Sequence, residues 1–262
     1  MFINKNVLIS GGSSGIGLAL AKQLFSLGSS ITILARRKYI LKKAESEIEK
    51  RRINSDQTVN SISADVSKYT DLKSALENNR PDTDILINSA GIAYPGKFTE
   101  LDPDIFYNVM NVNYYGTVNL TKLIVPAMLE KGSGYIVNIS SLAAVIGIYG
   151  YTAYAPSKYA VRGFSRCLRA ELKSKGIDVS VVLPPDTDTP QLAFEHTLLP
   201  DITRQINQSG GVMSPEKVSD SIIKGMMRKK FTIIPGLEGK ILYLFAPIFG
   251  RYFYHFAVNK EI

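Results

Sequence analysis

The chain has 262 residues, 45% of them hydrophobic, which is enough to bury one large core and excludes a disordered polypeptide. Its one cysteine, Cys167, excludes an intramolecular disulfide framework and suits a reducing compartment; its helical context predicts a half-buried thiol. The formal charge of +8 and the pI near 9.4 leave nucleic acid, anionic lipid, a phosphorylated cofactor and plain solubility open, so the placement of charge decides.

The chain enters an apolar strand, Asn6–Ser10, after five residues, so no targeting peptide is expected. No uncharged run reaches the length of a transmembrane helix, and a cytoplasmic protein, at most peripheral on a membrane, is the expectation. Ser10-Gly11-Gly12-Ser13-Ser14-Gly15-Ile16-Gly17 follows the strand and leads into a helix over 16–27. A strand, a glycine turn and a helix together make a pyrophosphate cradle, because backbone amides and a helix N-terminus must approach the phosphates without a Cβ in between. Gly11, Ser13, Ser14, Gly15, Ile16 and Gly17 are therefore candidate cofactor contacts.

The second strand, Ile31–Arg36, ends in Ala35-Arg36-Arg37, about 20 residues past the glycines, where an acidic residue grips the ribose of NAD. Arginine there favours a 2′-phosphate and hence NADPH, with Arg36 and Arg37 as its ligands. Residues 36–52 hold eight Lys or Arg and three Glu without any nucleic-acid motif, so no nucleic-acid partner is expected. A helix over 38–51 leads to a third strand, Val59–Ala64, closed by Asp65 and Val66, where a carboxylate suits an adenine amino group. After a helix over 70–78, the fourth strand, Ile85–Ser89, ends in Asn88-Ser89-Ala90-Gly91. The small residues there let a cofactor lie on the backbone, which adds Asn88, Ala90 and Gly91.

A long helix over 103–130 precedes a fifth strand, Tyr135–Ser140, with Ser140 and Ser141 at its carboxyl end, the edge where open α/β sheets bind ligands. One of these hydroxyls can stabilise an alkoxide while the other only caps a turn. The next helix, 154–174, carries Tyr154 and Lys158 four residues apart on one face. An ammonium beside a phenol favours the phenolate and brings a proton donor toward its working range. A sixth strand, Val179–Leu183, is followed by a stretch from Pro184 to Met213 without core periodicity, read as a lid or substrate loop over 186–213. Ser214-Pro215 starts a helix over 215–229, and Thr232–Pro235 is a last strand. Alternating apolar runs and helices predict a single α/β domain over 1–236: a Rossmann-type doubly wound parallel sheet of about seven strands.

Residues 237–262 form an apolar, aromatic tail. Ile241–Phe249 is too short to span a bilayer and contains Pro247, while Arg251–Phe256 has interfacial aromatics. With the basic cluster Lys224, Arg228, Lys229 and Lys230 upstream, the tail reads either as a membrane-surface contact or as a packing element on the domain or a partner subunit.

Taken together these motifs resemble the short-chain dehydrogenase/reductase family over essentially the whole chain. Its glycine motif falls on Ser10–Gly17, with Ser10 for the usual threonine, and its Asn-Ala-Gly falls on Asn88-Ser89-Ala90-Gly91. The resemblance implies a catalytic tetrad of Asn113, Ser141, Tyr154 and Lys158, with the asparagine distorting its helix within Met110-Asn111-Val112-Asn113-Tyr114. Its Pro-Gly after the sixth strand is Pro184-Pro185 here, a departure, followed by Thr187 and Thr189, one of which would hold the nicotinamide amide. Three further segments, 91–96, 147–154 and 184–190, resemble a branch of the family that reduces long-chain amino ketones. The resemblance implies NADPH, a lipid-like ketone substrate, no metal and a homodimer or homotetramer. Reduction of another apolar ketone (3-ketoacyl, steroid or retinoid) stays open, as does a non-catalytic dinucleotide sensor or scaffold, although no tetrad residue has been lost.

Overall fold

The computed structural model describes residues 1–79, 81–201, 203–204 and 211–246. Among them seven strands form one sheet: β1 Asn6–Ser10, β2 Ser30–Ala35, β3 Val59–Ser63, β4 Ile85–Asn88, β5 Gly134–Ile139, β6 Ile177–Val182 and β7 Thr232–Ile233. Their order is β3-β2-β1-β4-β5-β6-β7, and every neighbouring pair is parallel. The order reverses between β1 and β4, which opens a crevice at their carboxyl ends.

The apolar runs are continuous because both faces are covered. In β1, Val7 and Ile9 enter one core cluster and Leu8 the other, and in β4 Ile85 and Ile87 separate from Leu86 in the same way. The first face is packed by α1 Gly15–Ser26, α2 Lys38–Glu49 and the helix Pro215–Met227, through Leu24, Leu41 and Ile222 among others. The second is packed by α3 Tyr69–Asn79, α5 Gly116–Lys131 and α6 Tyr154–Leu172, through Leu72, Leu120 and Leu172.

Several elements differ from the sequence reading. The long helix expected over 103–130 is two helices, α4 Pro103–Met110 and α5, joined by a π turn at Asn111–Tyr115, where the family resemblance implied a distortion at Asn113. The expected loop over 186–213 contains a helix, α7 Pro190–Leu198, so Pro215–Met227 becomes α8. Strand β7 is shorter than Thr232–Pro235 because Pro235 has no N–H to donate and Gly236 turns the chain at φ +79°. Cys167 is exposed rather than half-buried, on the solvent side of α6. The basic run lies on the outer face of α2, where Lys42 pairs with Glu45 at 2.7 Å and Lys22 of α1 with Glu47 at 2.5 Å.

The start of the tail, residues 237–246, is helical. Tyr243 packs against Leu183 and Val181, with the Arg162 guanidinium 5.1 Å from its ring centroid. Leu237, Ile241, Leu244 and Phe245 face outward. Residues 247–262, which carry the rest of the predicted tail, lie outside the described residues.

Candidate active site

The glycine turn sits at the crevice mouth. Gly11 adopts φ +68°, and a Cβ there would lie 2.7 Å from the Ala90 nitrogen, so the turn after β1 touches the end of β4 backbone to backbone. A Cβ on Gly17 would collide with the Gly11 carbonyl, which is why α1 can start so close to the turn. The N-cap of α1, Ser14, makes no side-chain cap, so the first amides of the helix are left for an outside acceptor. A pyrophosphate fits those amides. The Ile16 side chain packs on the core, so only its backbone serves the cradle.

The four residues of the expected tetrad converge beside this cradle. Lys158 is buried, donates to the Ile139 carbonyl at 3.2 Å, and places its ammonium 5.6 Å from the Tyr154 ring centroid. A Cβ on Gly91 would lie 3.3 Å from the Lys158 nitrogen and 3.2 Å from Asn113 Oδ1. The Asn113 amide nitrogen donates to the Ile92 carbonyl and to Ser157 Oγ, both at 2.9 Å, and its oxygen accepts from Ile92 N–H at 2.8 Å.

The two serines divide as the sequence left open. Ser140 is buried and donates to the Lys158 carbonyl at 2.7 Å, a packing role that seats α6 on β5. Ser141 caps a single 3₁₀ turn by accepting from Ala143 N–H at 3.1 Å, and its hydroxyl is near enough to Tyr154 to favour the phenolate.

The electrostatics depart from the sequence expectation of a phenol made acidic by Lys158. Tyr154 is half-buried, and burial pushes its pKa well above the usual tyrosine value. The charges of Glu195 and Asp186 push the same way, against the neighbouring Ser141 hydroxyl and Gln191 amide. The phenol is therefore neutral, the form that can donate a proton. Burial lowers Lys158 to about 8, opposed by Glu195.

The remaining predicted residues are placed less uniformly. Arg36 and Arg37 are exposed at the end of β2, and Arg36 comes only within 3.9 Å of Asp65. One Asp65 oxygen already accepts from Ser67, at 3.0 Å from its amide and 2.7 Å from its hydroxyl. Val66 is a core residue. Asn88 turns its side chain inward, donating to Thr121 and Asn138 at 3.0 and 2.8 Å, so only its backbone borders the cradle. Pro184 accepts from Leu142 N–H at 3.0 Å, and Thr187 donates to the Pro185 carbonyl at 2.8 Å. Thr189 caps α7, and a Cβ on Gly15 would meet its methyl at 3.0 Å, so α7 begins against the glycine turn.

Helix α7 brings two side chains that the sequence reading missed, Gln191 and Glu195, and a third, Tyr151, meets them. Gln191 donates to Glu195 Oε1 at 2.9 Å, and the Tyr151 hydroxyl donates to Glu195 Oε2 at 2.9 Å. Thr189-Pro190 was the available signal, a cap followed by proline at the first helical position, with Gln191 and Glu195 one turn apart behind it.

Cradle, tetrad and parallel sheet define a Rossmann-type dinucleotide oxidoreductase. The chain belongs to the short chain dehydrogenase family, whose profile matches residues 5–197, and it is an NAD(P)-dependent oxidoreductase. It is 40% identical over 241 residues to the 3-dehydrosphinganine reductase of Danio rerio, spanning 90% of this chain and 73% of that one. It is 39% identical over 242 residues to the 3-ketodihydrosphingosine reductase of Bos taurus, with the same two shares. Among solved structures, a short-chain dehydrogenase from Sphingobium yanoikuyae in complex with NADPH superposes with a TM-score of 0.78 at 27% identity, over 98% of this chain and 95% of that one.

The buried ammonium makes a stability prediction. Since folding lowers Lys158 from 10.5 to about 8, the unfolded chain holds a proton between those values that the folded chain gives up. Stability of the cofactor-free protein should therefore rise with pH across that window. Lys158→Met should raise its melting temperature at pH 7, by an amount worth on the order of 3 kcal/mol at most, and the gap to wild type should close toward pH 10. Thermal melts of both proteins from pH 7 to 10 check this.

Proposed function

We propose that this protein uses NADPH to reduce the 3-keto carbon of 3-ketodihydrosphingosine, giving dihydrosphingosine for sphingolipid synthesis. The observation that carries the reading is the half-buried Tyr154, beside Ser141 and backed by Lys158, in a chain 40% identical to a 3-dehydrosphinganine reductase. When bound, the reduced nicotinamide supplies the hydride. Tyr154, kept neutral, donates its proton to the carbonyl oxygen, and Ser141 orients that oxygen and shares the developing charge. Lys158 binds the cofactor ribose and stabilises the phenolate left behind. Asn113 holds Ile92 and Ser157 so that the glycine surface and Lys158 keep their separation. The small apolar cluster of Ala143, Tyr151, Ala155 and Leu199 beside Tyr154 suits the first carbons of a long alkyl chain.

Two tests address the chemistry. Tyr154→Phe keeps the ring and its packing, so NADPH binding should persist by fluorescence titration while turnover falls by about 100-fold or more. Appreciable turnover in that variant would mean that another group is the acid. For the cofactor, Arg36 and Arg37 face solvent where a 2′-phosphate would come, and wild type should prefer NADPH to NADH in kcat/KM. Arg36→Ala should lose about 1–2 kcal/mol of that preference, the low end because the site is open to water; equal use of both cofactors by wild type would refute it.

The substrate of this reading is membrane-resident, and the outward Leu237, Ile241, Leu244 and Phe245 give the tail helix an apolar face that supports contact with a lipid surface. No helix of the described residues is long and apolar enough to cross a membrane. In liposome flotation, the full chain should rise with anionic vesicles and a chain ending at Gly236 should not. Failure of both to float assigns the tail to protein packing.

A further inference from the structure

The reduction needs one proton donor, an oxygen-orienting hydroxyl and an ammonium, and the site contains a further charge that none of these steps uses. Glu195 of α7 is 6% exposed. Its two carboxylate oxygens accept from Tyr151 and Gln191, each at 2.9 Å, and both donors are neutral. No Lys, Arg or His among the described residues comes within ion-pairing distance of it. Gln191 and Glu195 both act on the Tyr154 phenol, so the buried carboxylate and its amide partner border the proton donor. From the other side, the Tyr151 ring lies 5.7 Å from the Tyr154 ring.

A carboxylate at this spot is costly twice over. Burial without a cation at ion-pairing distance disfavours its charged form, and burial pushes its pKa up, with the more distant Lys158 ammonium pulling only weakly the other way. Its charge also opposes negative charge building on the substrate oxygen, the reverse of what a reductase site needs. Both costs vanish if the substrate brings its own cation next to the carbonyl. Each carboxylate oxygen keeps a second lone pair for such a donor. An amino ketone with its ammonium on the carbon beside the carbonyl has this arrangement: when Tyr154 holds the oxygen, the ammonium is one carbon away.

We propose that Glu195, held by Tyr151 and Gln191, receives the ammonium of a 2-amino-3-ketone and sets the preference of this enzyme for amino ketones over plain ketones. This deepens the substrate reading above and rests on it. Glu195 is a specificity residue, and Gln191 positions it.

The test compares two ketones in detergent micelles with NADPH: 3-ketodihydrosphingosine and the same chain with hydrogen in place of the 2-amino group. Wild type should favour the amino ketone by about tenfold or more in kcat/KM, and Glu195→Gln should bring the ratio to within about threefold of unity. Glu195→Asp keeps the charge and should keep a preference in the same direction. A role confined to anchoring α7 would depress both substrates together and leave the ratio unchanged, which overturns the assignment. Wild type acting equally on both ketones also overturns it, with no variant required, while the substrate reading stands. Wild type acting on neither removes the substrate reading and this assignment together.

Discussion

The site depends on one buried amide. Asn113 is 1% exposed, and its side chain makes three hydrogen bonds, two to the backbone of Ile92 and one to Ser157. Gly91 precedes the first partner and Lys158 follows the second, so the amide fixes the surface a cofactor would lie on and the ammonium beside it. Leaving any of these groups unpaired costs about 1–3 kcal/mol, so the junction forms as a unit. The π turn at Asn111–Tyr115 makes the junction possible by rotating Asn113 inward between α4 and α5. Thr117 then donates to the Asn113 carbonyl at 2.8 Å, as the helix resumes its ordinary bonding.

Around that junction the protein concentrates charge where water has been removed. Lys158 is held below its ordinary range, while Tyr154 and Glu195 are held above theirs, and burial is the leading cause each time. A site under such tension is stable only because the sheet beneath it is packed on both faces, so the core carries the cost of the chemistry. Helix α7 completes the enclosure. Remove it, and Tyr154 loses the nearby charge of Glu195 and gains water, and its phenol returns toward the ordinary value.

The sheet was legible because two-faced burial writes strands as unbroken apolar runs, and the glycine turn because close backbone contact admits no other residue at Gly11 or Gly17. Tyr154 and Lys158 were legible because a helix turn puts them together whatever the rest of the fold does. Helix α7 was not, since Leu192 is its one buried apolar residue among the described positions and an amphipathic pattern cannot arise from so little. The π turn left no trace in periodicity, because shifting one hydrogen bond barely changes which residues face the core. The direction of the Tyr154 shift comes first from burial and then from Glu195 and Asp186, which only tertiary structure brings about. Glu195 itself is buried by Tyr151, 44 residues earlier in the chain, a pairing with no local signature.

Helix α7 and the glycine turn are built as neighbours. The segment that carries α7 is tied at its base, where Met213 N–H donates to the Asp186 carbonyl and Asp188 N–H to the Met213 carbonyl, both at 2.9 Å. Between those ties the chain caps α7 with Thr189, whose methyl rests against Gly15 of the cradle. From there a continuous path runs through Gln191 and Glu195 to Tyr151 and Tyr154. Sheet and cradle can be shared with a dehydrogenase at 27% identity because they handle what all such reactions have in common. On the role proposed above for Glu195, the contacts that distinguish one ketone from another fall on α7, which adds no strand to the sheet and little to the core. Substrate choice can therefore change through a handful of residues in 190–198 while Asn113, Lys158 and the strands beneath them stay fixed.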